Sequence, residues 1–429
     1  MNRALYFIPV LLLASTLGSA QGYVSYFTGD TTDAVAAPLG GVCLMGGAGE
    51  DDQAMTWFLE RVNGGDVLVL RASGSDGYND YLFSELGVEV NSVETVVFSD
   101  AAASELPEIH ARIAQAEGIW FAGGDQWDYV SFWRGTPVAE WINEGIADRN
   151  IVVGGISAGM AILGQFYFSA MNGTVTSEEA LAAPYAAAVT VDSARFLEVP
   201  HLERVVTDTH YNDPDRKGRH TAFLARCLVD YGVVTRGMAC DEYAAICIDE
   251  AGIARVFGEY PDYDDTAYFI APNCELSDAT PEGCAPNAPL DWNRGGEALN
   301  VYEVKGTPAG SYTFDLNSWQ SGSGGTWRHW HVAQGGFNEL DGTEPACAVS
   351  VGEFEAERAT VHPNPATDWV HIPWIGGDVH VFNGLGQSVH VPQTRSAAGT
   401  SLDCSGLPDG WYHVTWNGFM AGSRLLVRH

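Results

Sequence analysis

Basic residues are scarce in this chain of 429 residues. Lys and Arg together number 21, against 55 Asp and Glu, which gives a net charge of −34. Proteins that bind nucleic acid or an anionic membrane face rely on a basic patch, so this balance argues against both kinds of partner. The hydrophobic fraction of 46% is normal for a globular protein, so the chain can build a sizeable core.

Long hydrophobic runs are also absent. After the first 20 residues, no stretch approaches the ~20 apolar residues that a membrane-spanning helix requires. Residues 1–20 have the pattern of a secretory signal peptide, with Arg3 as the positive start, an apolar run over 5–14, and Gly18 and Ala20 before a cleavage site at Gln21. A membrane anchor is the alternative, but the apolar run is too short to span a bilayer. We therefore predict an exported, soluble mature protein.

The sequence has no Cys-x-x-Cys pair, which makes zinc-ribbon and thioredoxin-like sites poor explanations for its eight cysteines. An oxidising compartment permits disulfides. Cys274 and Cys284 flank a loop rich in Pro, Asn and Asp, so we predict a bridge between them. Cys43 and Cys227 lie in apolar segments, which is typical of buried free thiols.

Residues 40–260 alternate between short apolar runs and segments with helical spacing. One such helical segment is 52–62, where Met55, Phe58, Leu59 and Val62 repeat at helical intervals. Continuous apolar strands that alternate with helices indicate a parallel sheet with helices on both faces, and ligands bind at the carboxyl ends of its strands. The predicted strands are Val42–Met45, Val67–Ala72, Val93–Ser99, Gly118–Ala122 and Ile151–Gly154.

The C-terminal residues have a different pattern, with short strands separated by turns such as Pro408-Asp409-Gly410. This pattern indicates a small all-β sandwich. The segments 361–366, 381–387, 407–412 and 424–427 resemble a type A sorting domain of the type IX secretion system. That resemblance implies export across the outer membrane of a Bacteroidetes cell, with the domain often removed or joined to surface lipid. A carbohydrate-binding or adhesion module is the alternative.

A candidate nucleophile stands in Gly154-Gly155-Ile156-Ser157-Ala158-Gly159, between an apolar strand and a helical segment. A Gly-x-Ser-x-Gly elbow needs small neighbours because the turn is sharp, and it lifts the Ser Oγ above the sheet. Phe121-Ala122-Gly123-Gly124 ends another strand, so we predict the Gly124 and Ala158 N–H groups as oxyanion donors. The alternative is a glycine-rich loop that only packs a helix on a sheet.

A serine nucleophile needs a base and an acid. His210 and Glu242 each follow a strand-like segment, so we predict these two, with His201 as the second choice for the base. The order Ser, His, Glu differs from that of the α/β-hydrolases. His329 and His331 form an His-x-His pair without a nearby third ligand, so we predict no metal and no organic cofactor.

These motifs, in this order, resemble the cyanophycinase branch of the S51 serine peptidases over residues 38–260. The resemblance implies a class I glutamine-amidotransferase-like α/β fold and a triad of Ser157, His210 and Glu242. It also implies substrate-pocket positions, which are Gln126, Asp208, Arg216 and Arg219.

Two positions depart from the family pattern, which usually reads Asp-Gln-His-Phe followed by three arginines. Thr209 replaces the Gln, and Pro214 stands where the first Arg is expected. The departures put cyanophycin in doubt as the substrate but leave the serine chemistry unaffected. The two arginines have two interpretations. Arg216 or Arg219 binds a substrate carboxylate directly, or the two compensate the negative charges of Asp213 and Asp215.

The resulting hypothesis is a secreted serine exopeptidase or isopeptidase that acts on acidic or β-aspartyl peptides. The predicted domains are a signal peptide (1–20), a peptidase domain (21–343), a linker (344–358) and a sorting domain (359–429). The predicted partners are a peptide or cyanophycin-like substrate and the type IX secretion machinery, with no nucleic acid, and a homodimer is left open. A non-catalytic surface protein with the same fold is the main alternative. A glutamine amidotransferase would use Cys in place of Ser157.

Overall fold

The computed structural model describes residues 22–194, 196–347, 364–372, 379–383, 388–396, 399–416 and 421–429. The predicted signal peptide and most of the predicted linker lie outside the described residues. Strands and helices are numbered below in chain order.

A ten-stranded sheet forms the first half of the fold. Its strand order is β1-β4-β3-β5-β6-β2-β11-β12-β15-β16, and the five strands from β4 to β2 are parallel while the flanking pairs are antiparallel. The strands are β1 Tyr23–Gly29, β2 Val42–Met45, β3 Asp66–Arg71, β4 Ser92–Phe98, β5 Gly118–Phe121, β6 Val152–Ile156, β11 Ala245–Ile248, β12 Ile253–Phe257, β15 Tyr312–Asp315 and β16 Gly322–Ser323.

Helices cover both faces of this sheet. Alternate residues of β2 point to opposite faces: Leu44 joins a core with Ile109 and Ile142, and Cys43 joins another with Phe58. The predicted α/β layering is therefore confirmed. The helices are α1 Asp52–Val62, α2 Gly77–Asp80, α3 Pro107–Gln115, α4 Gln126–Trp133, α5 Pro137–Arg149, α6 Ala158–Ala161, α7 Ser177–Ala182 and α8 Lys217–Tyr231, with shorter turns at Tyr81–Glu85, Ala101–Glu105 and Arg294–Gly296.

Helix α1 shows why the helical spacing was a reliable signal. The Asp51 side chain accepts a hydrogen bond from the Ala54 N–H and caps the first turn, which is typically worth about 1 kcal/mol. Met55 and Phe58 are among the side chains that the helix buries against the sheet. The helix ends at Asn63, which adopts a left-handed conformation with φ of 57°.

A second sheet of six strands was not predicted. Its order is β18-β17-β14-β13-β10-β9, and β9 with β10 is its parallel pair while the other pairs are antiparallel. Its strands are β9 Val205–Asp208, β10 Arg236–Cys240, β13 Thr266–Pro272, β14 Leu299–Lys305, β17 Gly325–Ala333 and β18 Gly336–Asp341. The strands β7 Tyr167–Phe168 and β8 Val191–Asp192 pair antiparallel in a separate two-stranded sheet, with α7 between them in the chain.

The described C-terminal residues form two small antiparallel sheets, with orders β19-β23-β22 and β21-β20-β24-β25. They share one apolar cluster that includes Val370, Val381, Leu402 and Val414. The all-β prediction for this region is confirmed. The strands are β19 Trp369–Ile372, β20 His380–Asn383, β21 Ser388–Val389, β22 Gln393–Ser396, β23 Gly399–Asp403, β24 Gly410–Trp416 and β25 Ala421–Val427.

The cysteines correct one prediction. Cys274 is bonded to Cys347 and not to Cys284, which is a free thiol. The predicted pairing relied on closeness in sequence, whereas the fold brings residue 347 back to the loop after β13. Cys43 and Cys227 are buried free thiols, as predicted. Within the described residues, no helix is long and apolar enough to cross a membrane.

Candidate active site

The Ser157 elbow lies at the carboxyl end of β6. Ser157 has φ of 53° and ψ of −117°, a strained conformation that costs on the order of 1–3 kcal/mol and is common at functional sites. The flanking glycines are required by space: a Cβ on Gly155 would stand 2.6 Å from the carbonyl carbon of Gly159, and one on Gly159 would stand 2.0 Å from the Phe121 carbonyl oxygen. This crowding is the reason for the Gly-x-Ser-x-Gly pattern.

A hydrogen-bonded chain of three side chains begins at this serine. The distance from Ser157 Oγ to His210 Nε2 is 2.7 Å, and the distance from His210 Nδ1 to Glu242 Oε1 is 2.6 Å. The side chains of His210 and Glu242 are each about a quarter exposed, so the chain is open to solvent on one side. A serine, an imidazole and a carboxylate linked in this way have the geometry that activates a hydroxyl for attack.

The three residues come from both sheets. Ser157 follows β6 of the ten-stranded sheet, whereas His210 follows β9 and Glu242 follows β10 of the six-stranded sheet. Thr207 in β9 donates its hydroxyl to the Met160 carbonyl at 2.9 Å, and the His210 N–H donates to the Gly46 carbonyl at 2.9 Å. These bonds fix the register of one sheet against the other.

Two residues that support the histidine and the acid were not identified from the sequence. A Cβ on Gly47 would stand 2.3 Å from His210 Cε1, so only glycine lets the imidazole reach Ser157. Asn212 Oδ1 accepts from the Glu242 N–H at 3.1 Å and fixes the loop of the acid. The glycine pair after β2 was visible in the sequence, but its contact is a property of the folded chain.

Within the described part of the chain, His201 and Asp241 form no hydrogen bond with Ser157 or His210. His201 packs against Gly252, where a Cβ would stand 3.1 Å from its Cε1. Asp241 is only 4% exposed, and burial raises the pKa of its carboxyl to about 7. His210 and Glu242, not these neighbours, form the hydrogen bonds toward Ser157.

The predicted oxyanion donors flank the serine. Ala158 is the first residue of α6, where backbone N–H groups have no partner within the helix. Within the described residues, the Gly124 N–H has no protein acceptor. Gly123 is the nearer of the two glycines: its Cβ position lies 3.7 Å from Ser157 Cβ, whereas that of Gly124 lies 2.9 Å from the Tyr129 hydroxyl. The assignment of Gly124 and Ala158 stays a prediction.

The predicted pocket residues separate into two groups. Asp208 and Arg219 form a buried bidentate pair, with 2.9 Å between Arg219 Nε and Asp208 Oδ2. Arg219 Nη1 is shared between the Thr174 hydroxyl and the Val175 carbonyl, each at 3.3 Å. Arg219 is 3% exposed and all three of its nitrogens have protein acceptors, so in this conformation it contacts the protein and not the open pocket. Its role in binding a substrate carboxylate stays a prediction. Arg219 also does not compensate the charges of Asp213 and Asp215, because its ion-pair partner is Asp208.

Burial and charge act in opposite directions on Asp208. Burial is the largest influence and acts to raise the pKa of its carboxyl, but the adjacent Arg219 guanidinium brings the net pKa below the usual value. Asp208 Oδ1 also accepts from the Thr209 N–H at 2.8 Å, at the residue before the candidate base. The pair thus fixes the backbone that carries His210.

Arg216 and Gln126 form the second group. Arg216 Nη1 donates to the Thr209 carbonyl at 2.9 Å, while its buried Nε has no acceptor within the described residues. Burial, with a contribution from Arg219, lowers the pKa of Arg216 to about 10, so it stays protonated at neutral pH. Gln126 Nε2 donates to the Phe168 carbonyl at 3.0 Å. Arg216 is therefore the pocket arginine that is available to a ligand.

A metal site was not found in the described residues, where no group of three or more His, Cys, Asp and Glu side chains has suitable geometry.

Comparison with known proteins gives two family matches. Residues 77–255, which include Ser157, His210 and Glu242, match Peptidase family S51. The chain contains a peptidase S51 domain. It is a peptidase of the serine hydrolase class. Residues 360–420 match the secretion system C-terminal sorting domain, so the chain also contains a sorting domain.

The S51 domain has curated relatives. The chain is 27% identical over 240 residues to cyanophycinases of Synechococcus elongatus and Thermosynechococcus vestitus, over 53% of this chain and 68% of each relative. Among solved structures, a peptidase from an acI-B1 Actinobacterium has a TM-score of 0.39 and 16% identity, over 52% of this chain and 89% of that chain.

Proposed function

We propose that this protein is a secreted serine-type exopeptidase or isopeptidase that hydrolyses acidic or β-aspartyl peptides through an acyl-enzyme. The observation that carries the proposal is the continuous hydrogen-bonded chain from Ser157 through His210 to Glu242. It supports the triad that the family resemblance implies.

In the proposed mechanism, His210 Nε2 takes the proton from Ser157 Oγ as the oxygen attacks the scissile carbonyl carbon. Glu242 accepts the Nδ1 proton in a hydrogen bond, which keeps Nε2 unprotonated and stabilises the imidazolium that forms. The N–H groups of Gly124 and Ala158 stabilise the oxyanion. His210 then protonates the leaving amine, and a water molecule, activated in the same way, hydrolyses the ester on Ser157.

An acidic substrate is supported by charge. In a chain with so few basic residues, Arg216 keeps a buried Nε without an acceptor, close to the loop of the base. A guanidinium binds a carboxylate well because its donors match both oxygens. The cyanophycinase relatives support a β-aspartyl bond, while Thr209 and Pro214 argue for a substrate other than cyanophycin itself.

Export is supported by the sorting domain. We propose that the signal peptide (residues 1–20) directs the chain out of the cytoplasm and that the type IX secretion machinery then recognises residues 359–429. In this proposal, residues 21–343 form the peptidase domain and 344–358 a linker. The mature protein is then secreted or attached to the surface of a Bacteroidetes-type outer membrane.

The alternative function is a catalytically inactive surface protein that keeps the fold. One experiment separates the two: rates of hydrolysis of β-Asp-Arg, β-Asp-Lys, α-Asp dipeptides and cyanophycin by the wild type and by Ser157→Ala. We expect wild-type hydrolysis of at least one β-aspartyl peptide and a loss of about 10⁴-fold or more in Ser157→Ala. Ser131→Ala is the matched control, because this serine is exposed and bonds only within α4.

Two results would contradict the proposal. Equal rates for the wild type and Ser157→Ala would exclude a serine mechanism. Absence of hydrolysis of any peptide by folded wild-type protein would favour the inactive surface protein.

A further inference from the structure

A second unpaired arginine lies beside the candidate active site. Arg71 ends β3, at the same edge of the sheet as Ser157. Within the described residues, no carboxylate lies in ion-pair distance of its guanidinium, and its buried Nε has no acceptor. Arg71 differs from Arg149, which also has no carboxylate in ion-pair distance among the described residues but donates through both of its terminal nitrogens to backbone carbonyls.

The chain around Arg71 holds its guanidinium in place. Nη1 donates to the Ser75 carbonyl at 3.1 Å, and the guanidinium lies 5.7 Å from the centre of the Tyr78 ring. Gly74 has φ of 90°, and a Cβ there would stand 2.3 Å from Arg71 Nη2. The loop after β3 therefore wraps around a positioned cation, which lowers the entropy lost when a ligand binds.

Arg71 lines a cleft of roughly 430 Å³ together with Glu50, Asp52, Tyr78 and Tyr81, among others. The Tyr78 hydroxyl donates to Glu50, and the Tyr81 hydroxyl donates to Asp52 at 2.8 Å. These carboxylates thus have tyrosine partners, and the guanidinium does not share them. Together with Glu85, which also lines the cleft, they oppose the binding of a free anion. A carboxylate would bind to Arg71 only as part of a substrate that other contacts of the site already hold.

Two chain segments that line this cleft continue to residues near the candidate triad. On one wall, Glu50 follows the glycine loop in which Gly47 packs on His210. On the other wall, Ser73, two residues after Arg71, has its Oγ 3.8 Å from the Cβ position of Gly124, and Gly123 faces Ser157. The strands β5 and β6, which carry these glycines and the serine, lie between β3 and β2 in the sheet. The loop that follows Arg71 therefore lies beside the glycine turn that faces the nucleophile.

We propose that Arg71 is a substrate-binding residue that receives a carboxylate of the peptide, separate from Arg216, which lies on the loop of the base. This inference rests on the proposed peptidase function. A substrate with two carboxylates could then contact both arginines. Arg71 does not take part in the chemical step.

The test compares Arg71→Met and the wild type on a β-aspartyl dipeptide and on derivatives in which each carboxylate in turn is a carboxamide. We expect Arg71→Met to lower kcat/KM for the parent peptide by about 10- to 100-fold, as for loss of a hydrogen-bonded charged partner. For one carboxamide derivative the same substitution should cost less than about threefold, which identifies the carboxylate that Arg71 binds.

Arg255→Met is the matched control, because Arg255 is exposed on β12. Arg71→Lys keeps the positive charge but lacks the paired donors of the guanidinium. It should lower kcat/KM on the same substrate by less than Arg71→Met does. This second variant keeps the test valid if Arg71→Met does not fold. Equal losses on all derivatives would overturn the inference. Such a result would leave the proposed function intact as long as Ser157→Ala remains inactive.

Discussion

The two sheets contribute to the candidate site in different ways. The ten-stranded sheet supplies the nucleophile from a strained turn that is almost wholly specified by its own glycines. The six-stranded sheet supplies His210 and Glu242 from loops whose positions depend on Gly46 and Gly47, which are far away in sequence, and on the nearby Asp208–Arg219 pair. One half of the site is therefore encoded locally, and the other half is encoded by the packing of one sheet on the other.

This difference predicts how each half responds to mutation. Replacing Ser157, on the ten-stranded sheet, by alanine removes a reacting group and should leave the fold unaffected. A change on the six-stranded side can act through position or stability.

Glu242→Gln should have the largest effect of these, with kcat lowered by about 10⁴-fold, because a neutral amide holds His210 in the wrong tautomer and does not stabilise the imidazolium. The loss should still be smaller than that of His210→Ala. Initial rates at saturating β-aspartyl peptide measure both. Glu60→Gln, at an exposed position of α1, is the control. A kcat for Glu242→Gln within about tenfold of the wild type would remove Glu242 from the triad.

Arg219→Met should lower the free energy of unfolding by about 3–5 kcal/mol at pH 7, because it leaves a buried carboxylate without its partner. In the wild type the pKa of Asp208 is below its ordinary value, so the pair stabilises the fold above about pH 4 and loses that contribution as the pH falls through the folded pKa. The variant should lose more stability at pH 7 than at pH 4.

Urea unfolding at both pH values measures this effect, with Arg255→Met as the exposed control. A fully stable Arg219→Met that loses activity only on acidic peptides would contradict the structural role. It would return Arg219 to direct contact with substrate.

Removal of residues 359–429 should have the smallest effect, with kcat/KM on soluble peptides unchanged within about twofold, because the sorting domain has its own apolar core. Surface delivery in the native host should be lost. An insoluble or inactive truncated protein would instead make these residues part of the catalytic core.

The local half of the site could be predicted from sequence because its geometry is set by close-range sterics. Gly155 and Gly159 leave no space for side chains, and that requirement is visible as a motif. The parallel strands were predicted nearly at their observed bounds, since buried strands give continuous apolar runs. Val42–Met45 and the helix Asp52–Val62 coincide with the structure.

The non-local half was less accessible. The sequence suggested one sheet, and the antiparallel strands after residue 265 were not assigned to a second sheet because a strand's own pattern does not say which strand it pairs with. The Asp208–Arg219 pair was missed for a related reason: the two residues are eleven positions apart and face each other only after β9 packs on α8. The Cys274–Cys347 bridge likewise joins residues 73 positions apart.

The central claim is that Ser157 and His210 act as one catalytic unit although they belong to different sheets. The most direct measurement is a double-mutant cycle in kcat/KM with Ser157→Ala, His210→Ala and the double variant on one β-aspartyl peptide. We predict that each single substitution lowers kcat/KM by about 10⁴-fold or more. The kcat/KM of the double variant should then lie within about threefold of that of the less active single variant. Losses that multiply in the double variant, or wild-type rates in His210→Ala, would contradict the account.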